Sequence, residues 1–225
     1  MRVLKASSLA FALAAVVTTA AAQTTVTNFF SGINKVVPDG NPTGVTDSQT
    51  LDLSSLFLYQ VTDIQVNLQL SGGYNGDIYA YLVHDGGFAV LLNRVGKTSG
   101  NAFGYGDTGF NVTFSSSGSD IHNYGSIGHT FNGGGQLTGM WDVDGRNADP
   151  MSVLDTTART SLLSSFDGTD PSGTWTLFLA DMDFGQQSTL VNWGLVITAI
   201  PEPSSVALFG LGGLALWTFR RKRSA

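Results

Sequence analysis

Carboxylates dominate the residues of this chain that could do chemistry. Of its 17 acidic residues all but Glu202 are Asp. Two groups stand out. The run Asp142-Val143-Asp144-Gly145-Arg146-Asn147-Ala148-Asp149 gathers oxygen ligands in a turn, and Asp181-Met182-Asp183 does the same at the end of an apolar segment. Hard cations such as Ca²⁺ take six to eight oxygens from loops of this kind. Asp142, Asp144, Asp181 and Asp183 are therefore candidate metal ligands. The first run is not an EF-hand, since its glycine is misplaced, Arg146 stands at a ligand position and no Glu closes the loop. The commoner use of a single Asp in such a turn is to bond its own backbone.

Other reactive constellations are thin. The three histidines, His84, His122 and His129, have no zinc-like spacing, and the absence of cysteine removes disulfides and thiolate sites. There is no Gly-x-Ser-x-Gly elbow, and a His-Glu-x-x-His site is impossible when the single Glu is Glu202. A subtilisin-type triad needs three motifs on a large α/β scaffold, for which residues 23–199 leave no room. Asp pairs suited to glycoside hydrolysis arise by chance in so Asp-rich a chain. The chain is expected not to be an enzyme.

The elements that must hold these residues are strands. The chain has 225 residues, 28 Gly, 12% charged residues and a net charge of −6, which argues against salt-bridged helices and against a nucleic-acid partner. Ile64, Val66, Leu68 and Leu70 alternate with Asp63, Gln65, Asn67 and Gln69. Further strands fall at Asp77 to Val83, Phe88 to Leu92, Phe110 to Phe114, Thr174 to Ala180 and Thr189 to Thr198, where Val191, Trp193, Leu195 and Ile197 share a face. Gly96 to Gly109 reads as irregular, and Thr156 to Ser165 has room for one helical turn. The fold class is all-β, one β-sandwich or jelly roll with Trp175 and Trp193 in its core. Tyr59, Tyr74, Tyr105 and Tyr124 lie in loop-like stretches and are candidates for sugar stacking.

Both ends read as export signals. Met1 to Lys5 is basic, Leu9 to Val17 is apolar, and Ala20-Ala21-Ala22 precedes Gln23. This is a secretory signal peptide cut by signal peptidase at an Ala-x-Ala site, here Ala20 and Ala22. At the other end Pro201-Glu202-Pro203 leads into an uncharged apolar segment, Val206 to Phe219, expected to be a hydrophobic helix that stops transfer. Arg220, Arg221, Lys222 and Arg223 follow and stay inside. The ending resembles the PEP-CTERM sorting signal of Gram-negative bacteria. That resemblance implies recognition by an exosortase, removal of the tail and display at the cell surface or beyond.

The body carries a second resemblance. Gly76-Asp77-Ile78-Tyr79-Ala80-Tyr81-Leu82-Val83-His84-Asp85-Gly86, with Val90 to Gly96, is similar to the first half of a P domain (P/Homo B), the module beside proprotein convertases and bacterial subtilases. Leu163 to Asp181, containing Gly173-Thr174-Trp175-Thr176-Leu177, resembles its second half. This resemblance implies an association with calcium and places Asp77 and Asp181 on the family's motif positions. The chain is thus divided into a signal peptide (1–22), an N-terminal extension with first strands (23–60), a P-domain-like sandwich (61–199) and a sorting signal (200–225). The expected function is that of a non-catalytic exported module, calcium-stabilised and associated with exopolysaccharide or a surface protein. The alternative is a module accessory to proteolysis by a separate subtilisin-like enzyme. Without the two signals the body keeps Lys35, Arg94, Lys97, Arg146 and Arg159 against sixteen Asp, which suits cations.

Overall fold

Alternating apolar residues build two packed sheets. The computed structural model describes residues 23–201 and 212. Eleven strands occur in it: β1 (Thr24–Phe30), β2 (Lys35–Val37), β3 (Asn41–Leu51), β4 (Leu58–Gly72), β5 (Ile78–His84), β6 (Gly87–Asn93), β7 (Phe110–Asp120), β8 (Thr130–Phe131), β9 (Leu137–Asp142), β10 (Gly173–Asp181) and β11 (Ser188–Pro201). Seven strands form one sheet in the order β1-β11-β4-β7-β9-β8, with β2 also on β11, and β3-β10-β5-β6 form the other. The all-β sandwich is as expected. The long pairs are antiparallel, whereas β7 and β9 run parallel.

The inner faces carry the core. Ile64, Val66, Leu68 and Leu70 of β4 and Leu190, Trp193, Leu195 and Ile197 of β11 are buried, as are Trp175, Leu177 and Leu179 of β10. The period-two pattern slips once in β11. A bulge between Leu190 and Asn192 turns Leu190 inward, and Val191, expected on the core face, is only half-buried. Trp175 stacks on His84 with ring centroids 3.8 Å apart, and its Nε1 donates to the Pro171 carbonyl. Trp193 Nε1 donates to Asp47 Oδ2, so each buried indole has a partner.

Residues 23–60, read as an extension with the first strands, carry β1 to β3: β1 zips along β11 from Thr24↔Ala199 to Phe30↔Trp193, and β3 lies along β10 from Thr50↔Thr174 to Asn41↔Asp181. The polar look of these strands reflects their position at sheet edges, where one face and one margin meet water. The helical turn expected within Thr156 to Ser165 is a 3₁₀ turn at Leu163–Phe166. Ala20, Ala22, Glu202, Pro203, the expected C-terminal helix and Arg220 to Arg223 lie outside the described residues. Among the described residues no helix is long and apolar enough to cross a membrane.

Candidate functional site

Three loops at one end of the sandwich bring four carboxylates close together, two of them onto the guanidinium of Arg94. Asp39 lies on the β2–β3 turn, Asp77 closes the 3₁₀ turn Asn75–Asp77, Asp181 ends β10 and Asp183 follows it. Arg94, just beyond β6, is buried; its Nη2 donates to Asp77 Oδ1 at 3.3 Å and Asp183 Oδ2 at 3.2 Å, and its Nε donates to the Gly76 carbonyl. The backbone pins the group further. Met182 N donates to the Asp77 carbonyl, Asp183 N to Asp181 Oδ1, and Gly185 N to Asp39 Oδ1.

Electrostatically this cluster is unbalanced. Burial, together with the neighbouring Asp183 and Asp39 and despite Arg94, pushes the Asp77 carboxyl up to about 6. Burial likewise pushes Asp181 up to about 6, helped by the charges of Asp77 and Asp39. Asp181 is fully buried, and its Oδ2 has no hydrogen-bond partner. A buried carboxylate oxygen without a donor is costly, so the site is chemically suited to a cation. As placed, Arg94 bonds two of the four carboxylates, and among the described residues no three His, Cys, Asp or Glu side chains are closed around a point that could hold a metal.

Beside the carboxylates opens a pocket of about 250 Å³. Tyr74, Phe103, Tyr105 and Phe184 wall it, and Asp77 and Asp183 reach it from the cluster. Glycines seat these rings. A Cβ on Gly40 would meet the Phe184 ring at 2.5 Å, and one on Gly96 would meet the Tyr105 ring at 2.5 Å. The wall carrying Phe103 to Gly106 is held by Gly76 N to the Tyr105 carbonyl and Tyr105 N to the Val95 carbonyl. Phe103 and Phe184 remain 70% and 80% exposed. Sequence reasoning found Tyr74 and Tyr105 but passed over Phe103, Phe184 and Arg94, because their loops show no periodicity. Tyr124 is corrected: it is buried, packs on Tyr105 at 4.2 Å, and donates from its hydroxyl to Asp107 Oδ2. Tyr59 is half exposed, on β4 and away from this pocket's lining.

Asp142 and Asp144 do not join that cluster. Asp144 is fully buried; its Oδ2 faces His122 Nδ1 at 2.7 Å and its Oδ1 faces Arg146 Nη1 at 3.3 Å. Asp142 Oδ2 accepts from Arg159 Nη2 at 2.5 Å, and Asp120 Oδ2 accepts from Arg146 Nη2 at 2.8 Å. Burial raises the Asp120 carboxyl, but the Arg146 bonds and charge outweigh it and hold it below the ordinary carboxylate range. These acids brace a loop through arginines rather than converge on an open point. Two histidines are similarly committed: His122 Nε2 reaches the Lys97 carbonyl, and His84 bridges the Thr174 and Asp170 carbonyls.

Comparison with known proteins adds one motif. The PEP-CTERM protein-sorting motif matches residues 199–223, beginning inside β11. It marks an exported, membrane-anchored precursor destined for the cell surface and processed by an exosortase. No curated protein matches the chain. A crystal structure of a serine protease of Aeromonas sobria is similar over 79% of this chain at 12% identity and a TM-score of 0.42. The chain spans 27% of that protein's length.

Proposed function

We propose that this chain is a non-catalytic precursor whose β-sandwich is itself the exported cargo, displayed at the cell surface or in extracellular polymer as a calcium-stabilised binding module. The observation that carries this is the seamless join between body and signal. The sorting motif starts at residue 199, and β11 runs to Pro201, so no linker separates a distinct domain from the signal. Signal peptidase acts at the N-terminal end and exosortase at the Pro-Glu-Pro end. The non-catalytic reading is supported by the engagement of both ring nitrogens of His84 and of His122 in internal bonds.

Asp39, Asp77, Asp181 and Asp183 would hold the Ca²⁺, which supplies positive charge where four acids outnumber the single Arg94. The fit rests on the unpartnered Asp181 Oδ2 and on the burial that, with repulsion from the neighbouring carboxylates, raises Asp77 and Asp181. The aromatic pocket next to this cluster is where a sugar unit of an exopolysaccharide would stack. The test is calorimetric titration of the chelator-stripped protein with Ca²⁺, beside a thermal melt of the same samples. Binding heat and a higher Tm are expected for the native chain, with both lost in Asp181→Asn. Absence of heat and of any Tm change in the native chain would contradict calcium stabilisation.

A further inference from the structure

The end of the sandwich opposite the carboxylates carries an apolar tip that has no place in the reading above. The turn between β3 and β4 and the first residues of β4 expose Leu56 (46%), Phe57 (73%) and Tyr59 (47%) in close sequence. Phe57 adopts a left-handed backbone at φ 52°, a conformation uncommon for a bulky residue, with its N–H donating to the Ser54 carbonyl. A local sequence that holds an aromatic ring in water on a strained backbone calls for a partner.

Register shows what lies beside this tip. Leu58 pairs with Pro201, the last strand residue before the sorting segment, and Thr24 pairs with Ala199. The chain therefore enters and leaves the sandwich at this end. From Pro201, five residues reach Val206, the first of fourteen uncharged residues ending at Phe219. Five residues extend at most about 18 Å. As long as the sorting segment sits in the bilayer, the Leu56–Tyr59 turn is held within reach of the lipid surface.

We propose that Leu56, Phe57 and Tyr59 form a membrane-resting face that docks the uncleaved precursor on the lipid interface, presenting the Pro-Glu-Pro motif at a fixed height. Tyr and apolar side chains suit that boundary layer. The attraction is apolar and not electrostatic. No Lys or Arg occurs between Lys35 and Arg94, and the charges near the tip in sequence or register are all acids: Asp52, Asp63, and Asp167 and Asp170 on the segment that bonds Leu53 and Val61. The occupant is thus the interface of neutral lipid.

The chain has no cysteine of its own, so single labels are clean. Full-length precursor carrying Leu56→Cys, Phe57→Cys or, at the opposite end, Phe103→Cys is labelled with an environment-sensitive dye and reconstituted into phosphatidylcholine vesicles. Labels at 56 and 57 are expected to shift to shorter emission wavelength and to be quenched by nitroxide lipid, while the label at 103 reports water. Each labelled chain must reproduce the thermal transition of the unsubstituted precursor; if Phe57→Cys fails to fold, Leu56→Cys reads the same face. Labels at 56 and 57 as wet as that at 103 would overturn the proposal. So would shielding that appears only when exosortase is added, or only when anionic lipid is present.

Discussion

Among single residues, similar acids have unlike roles because their partners differ. Asp144 is enclosed between His122 and Arg146, whereas Asp142 meets the partly exposed Arg159. Asp144→Ala strands the buried Arg146 guanidinium and leaves His122 Nδ1 without its partner, and should cost ~3–5 kcal/mol, while Asp142→Ala should cost only about 1 kcal/mol. Chemical denaturation of the two variants measures the contrast. Equal losses would show that the buried network is no more than surface pairing. Asp77 and Asp181 behave differently again. Both are pushed up to about 6, so the folded state favours their protonated form. Their contribution to stability is fully present below the ordinary carboxylate range and is lost as pH rises through about 6. In chelator, the Tm should fall between about pH 4 and pH 7; saturating Ca²⁺ should flatten or reverse that slope. A Tm independent of pH in both conditions would remove the electrostatic basis of the proposed cation site.

The strands and the loops were unequally legible in the sequence. Gly76 shows how tightly one element positions another: a Cβ there would lie 2.1 Å from the Phe103 carbonyl oxygen and 2.7 Å from Tyr105 N. Gly76→Ala must push the 103–106 wall outward, costing ~1–3 kcal/mol, and should raise protease sensitivity near Phe103. Unchanged stability and cleavage would mean the wall is not pinned by this contact. Core strands such as β4 were readable because alternation is a local signal that one buried face imposes. The edge strands β1 and β3 were not, since half-wet partners leave no strong pattern, and neither was the bulge at Leu190, which a strict period of two cannot express. For the site, Asp77, Asp181 and Asp183 were legible as acids, whereas Asp39 and Arg94 arrive through loops whose approach depends on the packed sheets. Asp142 and Asp144 misled for a related reason: spacing shows which oxygens are near, but not that Arg146 and Arg159 already neutralise them.

Taken as a whole, the molecule is polar in the sense of having two unlike ends. β4, with 15 residues, runs from Leu58 beside Pro201 to Gly72 beside Ser188, a length of about 45 Å at the usual rise. The sorting motif meets the sandwich at the first end, where Thr24 also enters it; the carboxylate cluster and aromatic pocket sit at the second. A sandwich tethered at one pole holds the carboxylate cluster and aromatic pocket at the pole away from the membrane. This rests first on the sorting signal being used. The most direct test is intact-mass measurement of the protein recovered from the surface or medium of its native host. The expected species begins at Gln23 and ends within or close to Pro201-Glu202-Pro203, and a form that also begins at Gln23 but keeps the C-terminal segment accumulates at the membrane when the exosortase is deleted. A surface species that still carries residues 206–225, or a precursor whose processing is indifferent to the exosortase, would contradict it.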